Sequence, residues 1–144
     1  KAFGDSKRFE ENFFSLIIID IDNFSDINDS YGWDAGDEVL RAVGGVLDQQ
    51  RRSSDYLCRY GNDLFAMLLA ETRSDQAIGA GQRIQRLCAE LSFGFAEEPL
   101  NLTLSVGVAT YNESIATPQG LVQITQDNLL VAIAAAGNKV IGPI

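Results

Sequence analysis

The sequence predicts one α/β domain: a mixed central sheet of about five strands with helices packed on it, in the order β-α-α-β-β-α-β-α-β. Three observations carry this. Phe13 to Ile19 is a continuous apolar run of strand length, the pattern of a strand buried on both faces. Strand-length and helix-length apolar patterns then follow one another along the chain, which is how helices come to rest on a shared sheet. With 144 residues, 46% of them hydrophobic and 22% charged, the chain can bury a real core and is not disordered.

The elements follow in order. After the first strand, Asn28 reads as a helix-end residue. Asp34 is placed to cap a longer helix whose Val39, Leu40, Val43, Val46 and Leu47 recur on one face. Gly44 and Gly45 inside it cost about 1 kcal/mol each relative to alanine. Tyr56 to Tyr60 and Leu64 to Leu69 read as strands of a hairpin around Gly61-Asn62-Asp63, with Asn62 tolerating a left-handed turn conformation. Ser74 to Leu91 has helical spacing through Ala77, Ile78, Ile84, Leu87 and Leu91. Leu100 to Ala109 alternates as a strand, with Leu102, Leu104, Val106 and Val108 on one parity. Thr117-Pro118 opens a last helix, Gly137 stops it, and Val140-Ile141 forms a short closing strand. No repeat or internal linker divides the chain, so residues 1–144 read as a single domain.

Composition excludes several functions. A net charge of −9 argues against a partner bound through a nucleic-acid backbone, which requires a basic face, but leaves room for a mononucleotide pocket. No apolar run approaches the roughly 20 residues of a membrane span. Cys58 and Cys88 lie in apolar patterns without metal spacing and are expected as buried reduced thiols of a cytoplasmic protein. The chain opens at Lys1 with neither a methionine nor a signal peptide, as expected of a domain excised from a larger multidomain protein.

The chemistry sits at strand ends. Asp20 closes the first strand and Asp63 occupies the hairpin turn. Two carboxylates from neighbouring strand ends either share a hard divalent cation that also holds triphosphate oxygens, or are ordinary turn formers. Asn28 and Asp37 read on their own as a helix-end Asn and a helix N-terminal Asp. Arg52-Ser53-Ser54-Asp55 is an R-x-x-D motif five residues ahead of Gly61, readable on its own as a surface ion pair.

Taken together, Asp20-Ile21-Asp22-Asn23-Phe24-Ser25-Asp26-Ile27-Asn28-Asp29, then Gly36-Asp37, then Arg59-Tyr60-Gly61-Asn62-Asp63-Leu64-Phe65, resemble the GGDEF family in order and spacing over nearly the whole chain. These are the diguanylate cyclases, which join two GTP molecules into cyclic di-GMP. The family signature R-Y-G-G-D-E-F is changed here at Asn62 and Leu64. The resemblance implies Asp20, Asp63 and the carbonyl of Ile21 as ligands of Mg²⁺ held with GTP, and Asn28 and Asp37 as guanine readers beside Trp33, where the family usually has histidine. It implies that Arg52 and Asp55, with Arg83 on the following helix and help from Arg51 and Arg86, match the inhibitory site that binds cyclic di-GMP.

The same resemblance implies impaired catalysis. Leu64 replaces the signature glutamate and can neither accept a proton nor hold a cation. Ser25 and Ala134 stand where the family has phosphate-contacting lysines. Asn138 stands for an arginine, with Lys139 one residue away as a substitute. Positioning and charge stabilisation dominate phosphoryl transfer, so these losses imply a rate lower by orders of magnitude, leaving Asp63 as a remnant of the catalytic site.

The expected role is therefore a degenerate, regulatory or receptor module of bacterial cyclic di-GMP signal transduction. It would act on a neighbouring domain, for which the family suggests an EAL phosphodiesterase, in a parent protein that is either soluble or membrane-anchored. The alternatives are a weak diguanylate cyclase and a ligand-free scaffold that serves homodimer formation or other interactions. Leu129 to Ala136 is apolar almost all round and is expected to be a buried helix, or else a patch that docks a neighbouring domain. Lys1 to Phe9 only dimly resembles the family's opening D-x-L-T-G-L-x-N-R motif.

Overall fold

The computed structural model describes residues 14–111 and 117–143. Among them, five strands and four helices follow the expected order. These are β1 (Phe14–Ile21), α1 (Phe24–Tyr31), α2 (Trp33–Gln50), β2 (Tyr56–Tyr60), β3 (Leu64–Ala70), α3 (Ser74–Ala89), β4 (Leu104–Thr110), α4 (Pro118–Ala134) and β5 (Val140–Ile141). The strands form one sheet in the order β2-β3-β1-β4-β5, antiparallel throughout except for the parallel β4–β5 pair.

The apolar run of β1 makes it the central strand. Its Ile17, Ile18 and Ile19 are all buried because neighbours cover both faces. β4 is buried at all seven positions, so the single buried parity expected there becomes two-sided burial. It begins at Leu104 and not Leu100, since Asn101 takes a left-handed φ of 56° that interrupts an extended strand.

Helix α2 starts at Trp33 behind a Gly32 N-cap, so Asp34 lies in its first turn and is not the cap. Its Val39, Val43 and Leu47 are fully buried against the sheet, as the periodicity predicts. α3 stops at Ala89, two residues short of Leu91. Thr117 does cap α4, its hydroxyl accepting from the Gly120 amide at 3.0 Å. α4 ends in a left-handed run, Ala136, Gly137 and Asn138, with the Gly137 amide donating back to the Ala132 carbonyl.

Three expectations are corrected. Cys58 is exposed, because β2 is an edge strand, while Cys88 is buried as expected. The left-handed turn residue of the hairpin is Gly61, with φ 77°, and not Asn62. α4 is not buried all round: Leu129 and Ala132 face the sheet, but Leu130 is 62% and Val131 52% exposed. The Lys1 to Phe9 segment lies outside the described residues. No helix among the described residues is long and apolar enough to cross a membrane.

Candidate functional site

Two cavities hold nearly all the candidate residues, one at each end of the β2–β3 hairpin. The tip cavity, about 420 Å³, is lined by Ser25, Asn28, Trp33, Asp37, Arg59 and Asp63 among others. It forms because α1 and α2 meet at Gly32, whose φ of 93° turns the chain sharply, and because the hairpin tip folds up beside them. Gly36 permits the close approach, since a Cβ there would overlap the Asn28 side chain. Asp37 is exposed at the cavity wall and Trp33, 77% exposed, stands at its rim. The Arg59 guanidinium donates to the Asn62 carbonyl and lies 5.9 Å from the centre of the Phe65 ring, bracing the turn that carries Asp63.

Asp20 stands beside this cavity, directly across the β1–β3 ladder from Leu64. Burial pushes its carboxyl up to about 7, and the neighbouring carboxylates of Asp63 and Asp22 push in the same direction. Its Oδ1 is buried and has no hydrogen-bond partner, as is Oδ1 of Asn28. A carboxylate short of partners beside a second carboxylate is the environment that a cation relieves. No group of three or more acidic, histidine or cysteine side chains able to hold a metal occurs among the described residues. Two carboxylates suffice for Mg²⁺, which keeps waters and phosphate oxygens in its shell, so the donor set fits.

Asp22 was not singled out from the sequence, and the structure makes it a hub. Its carboxylate accepts from Thr103 Oγ1 at 2.7 Å, Ser105 Oγ at 2.6 Å and the Asn138 amide at 2.8 Å. It thereby ties the end of β1 to β4 and to the turn after α4. The D-x-D spacing with Asp20 was the available signal, because alternate residues of a strand share a face. Ala134 is exposed at the end of α4, and the Lys139 carbonyl accepts from the Val106 amide on entry to β5.

The base cavity is a groove of about 440 Å³ between the hairpin and α3, lined by Arg52, Asp55, Arg83, Gln50, Thr72 and Gln76 over an apolar floor that includes Met67 and Ile84. Asp55 is 5% exposed. It accepts from the Arg52 amide at 2.9 Å, Arg52 Nε at 3.1 Å, Arg52 Nη2 at 2.9 Å and the Ala70 amide at 3.2 Å. Burial pushes the Asp55 carboxyl up, but the hydrogen bonds from Arg52 and from the Arg52 and Ala70 amides outweigh it, holding it below its ordinary value. Arg52 Nη2 also donates to the Ala70 carbonyl at 2.6 Å and to Thr72 Oγ1 at 2.8 Å.

In this arrangement the Asp55 carboxylate accepts four hydrogen bonds within the chain, three of them from Arg52, which it orients. Arg52, with 55% of its side chain exposed, and Arg83, held at Nε by Gln50 Oε1 at 2.9 Å, are the cations directed to the groove. Arg51 turns back to Asp48 at 2.8 Å, and Arg86 is exposed near the end of α3.

Comparison with known proteins identifies the family. The family model described as "Diguanylate cyclase, GGDEF domain" matches residues 4–139. Diguanylate cyclase A of Treponema denticola is 35% identical over 109 residues, covering 76% of this chain and 29% of that protein. The chain thus spans less than a third of the length of the curated relatives it matches. The active GGEEF domain of a diguanylate cyclase from Vibrio cholerae superposes with a TM-score of 0.88 at 28% identity, covering 98% of this chain and 88% of that one. A microbial domain solved in a study of its interaction mode with bis-(3′,5′)-cyclic di-GMP gives a TM-score of 0.77 at 25% identity, covering 93% and 79%.

Proposed function

Since the chain belongs to the GGDEF family of diguanylate cyclase domains, we propose that it is a catalytically impaired member serving as a receptor module of cyclic di-GMP signalling. The observation that carries this reading is the groove at the base of the hairpin, where Arg52 and Arg83 converge over an apolar floor. A guanidinium can stack on a guanine ring and donate to its acceptor edge or to a phosphate, so two of them suit a cyclic dinucleotide. Asp55 acts here by pre-setting Arg52, which reduces the ordering needed on binding.

Calorimetric titration with cyclic di-GMP tests the reading. Micromolar or tighter binding, lost in Arg52→Ala, is the expected result; no heat from folded protein would sink it. Occupancy alters a partner only if two states bind the ligand differently. The reading therefore includes a larger cytoplasmic parent protein and a neighbouring domain, for instance an EAL phosphodiesterase.

The orphaned oxygens of Asp20 and Asn28 favour a second ligand at the hairpin tip, GTP with Mg²⁺. Asp20, Asp63 and the Ile21 carbonyl would hold the ion, which supplies charge neutralisation for the triphosphate, while Asn28 and Asp37 meet the guanine. Turnover is not expected. Leu64 places a hydrocarbon across from Asp20 where the signature has glutamate, and Ser25, Ala134 and Asn138 carry no positive charge. Formation of cyclic di-GMP from GTP that Asp63→Ala abolishes would instead establish a weak cyclase.

A further inference from the structure

The tip cavity has two unlike walls. Asn28 and Asp37 line it with hydrogen-bonding groups, while Phe24, Leu40 and Trp33 line it with apolar ones. Phe24 and Leu40 also pack in the main core, so they hold α1 and α2 on the sheet as well as lining the cavity. Trp33 has no such duty. At 77% it is the most exposed large hydrophobic side chain among the described residues, and it stands in the first turn of α2.

Sequence spacing puts the indole where it can serve the cavity. Trp33 and Asp37 are four residues apart on α2, which makes them neighbours on one face with about 5–6 Å between their Cβ atoms. Side chains of a helix lean towards its N-terminus, so Asp37 reaches back towards the turn that Trp33 opens. Leu40, a further turn on, is 8% exposed and closes the same stripe at the bottom. A carboxylate acceptor and a flat aromatic ring thus adjoin at the mouth, above an apolar floor.

The surroundings of Trp33 favour a small ligand over a protein. Asp34, Asp37 and Glu38 are exposed beside it on α2, and Asp29 and Ser30 are exposed near the end of α1. Tyr31 is engaged elsewhere, its ring tilted onto Phe95 at 5.2 Å and lining a different cavity. A protein interface needs a contiguous apolar patch with charge kept to its rim, and a single indole among carboxylates does not supply one. One ring does suffice for a nucleobase, since every base offers a π face. The cavity volume of about 420 Å³ lies within the ~300–1,000 Å³ of small-molecule sites.

We propose that Trp33 is the stacking platform for the base of a nucleotide held at the hairpin tip, lying on the face of a ring whose edge meets Asp37 and Asn28. This rests on the tip being the guanine-nucleotide site proposed for it, and adds the group that holds the face of the ring. Stacking is indifferent to which base is bound, so Trp33 contributes affinity while Asp37 and Asn28 contribute selection. It also acts where charge does not. Ser25, Ala134 and Asn138 give the phosphates no cation, and a chain of net charge −9 gives them no long-range attraction. The base end of the ligand is uncharged and escapes both.

Trp33 is the sole tryptophan of the chain, so its emission reports on this rim alone. The protein is titrated with GTP and Mg²⁺, binding being read by calorimetry and the indole by fluorescence corrected for absorption by the nucleotide. A platform quenches Trp33 in step with the calorimetric isotherm, and Asp37→Ala weakens both signals together. Trp33→Ala binds about 5- to 100-fold more weakly, Trp33→Phe recovers most of the loss, and Trp33→Leu, apolar but without a π face, does not. Unfolding midpoints of the Trp33 variants stay unchanged, because so exposed a side chain carries little of the fold. GTP binding with unaltered Trp33 emission, or with equal affinity in Trp33→Ala, overturns the platform and leaves the tip site standing. Leucine serving as well as phenylalanine overturns it too, by showing that hydrocarbon cover is enough. Heat that survives Asp37→Ala unchanged puts the nucleotide elsewhere, away from Trp33. No heat from the folded native protein sinks the tip site itself, and the platform with it.

Discussion

Arg52 and Arg83 face the same groove but differ in what else they hold. Arg52 satisfies Asp55, a carboxylate with only 3% of its side chain exposed, and binds the Ala70 carbonyl, whereas Arg83 leans on Gln50 alone. Arg83→Ala is therefore expected to weaken cyclic di-GMP about 10- to 100-fold, the loss of a charge-assisted contact, with the unfolding midpoint unchanged. Arg52→Ala should abolish binding and also destabilise the fold, by roughly 1–3 kcal/mol, because it strands a buried carboxylate. Calorimetry and urea denaturation of both variants separate the two effects. The pH dependence has a definite sign. The folded state holds the Asp55 carboxyl below its ordinary value, so its contribution is present above the unfolded value of about 3.9 and is lost as pH falls through the lower, folded one. Acid titration of Asp55→Asn should lack that component. Asp20 runs the other way. With its carboxyl raised to about 7, the metal-free fold is favoured below the unfolded value and loses stability as pH rises through 7. Asp20→Asn should stabilise the metal-free protein by ~1–2 kcal/mol at pH 8, after allowance for screening at a half-exposed group, and by nothing at pH 4. It should also remove any Mg²⁺-dependent thermal shift.

The β2–β3 hairpin joins both cavities, its base locked by the Ala70 amide on Asp55 and its tip carrying Asp63. α4 is held just as closely. A Cβ on Gly107 would run into the Thr125 carbonyl and the backbone of Leu129, atoms that cannot swing aside. Gly107→Ala should cost at least ~2 kcal/mol in denaturant unfolding, and Gly45→Ala, which meets nothing within 4 Å, should be neutral or stabilising. Much of this scale was legible beforehand. The run at Ile17–Ile19, the Thr117 cap and the hairpin around Gly61 depend on local pattern and on turn chemistry, which a sequence displays directly. The spacing from Arg52 to Arg83 was legible through family resemblance. What was hidden depends on partners distant along the chain. Cys58 looks like a core residue until β2 is known to be an edge strand. Leu130 looks buried until the width of α4 is set against that of the sheet. The three donors to Asp22 come from residues 103, 105 and 138, which no local window contains. The donors to Asp55 likewise include the Ala70 amide, fifteen residues away.

Over the whole molecule, twenty acidic residues face eleven basic ones, and no histidine moderates the balance. Raising salt from roughly 0.01 M to 0.15 M at pH 7 should therefore lift the unfolding midpoint by a few degrees, through screening of like charges. A midpoint that falls would mean that attractive pairs, such as Arg52–Asp55, outweigh the net repulsion. The central position of β1 has a consequence during biosynthesis. β1 leaves the ribosome first among the strands, but both its neighbours come later: β3 begins at Leu64 and β4 at Leu104. At ~5–20 residues per second, the gap from Ile21 to Leu104 keeps one edge of this isoleucine-rich strand unpaired for roughly 4–16 seconds. The nascent chain thus keeps one edge of an apolar strand unpaired until synthesis reaches Thr110, the interval in which pairing with another chain competes with folding.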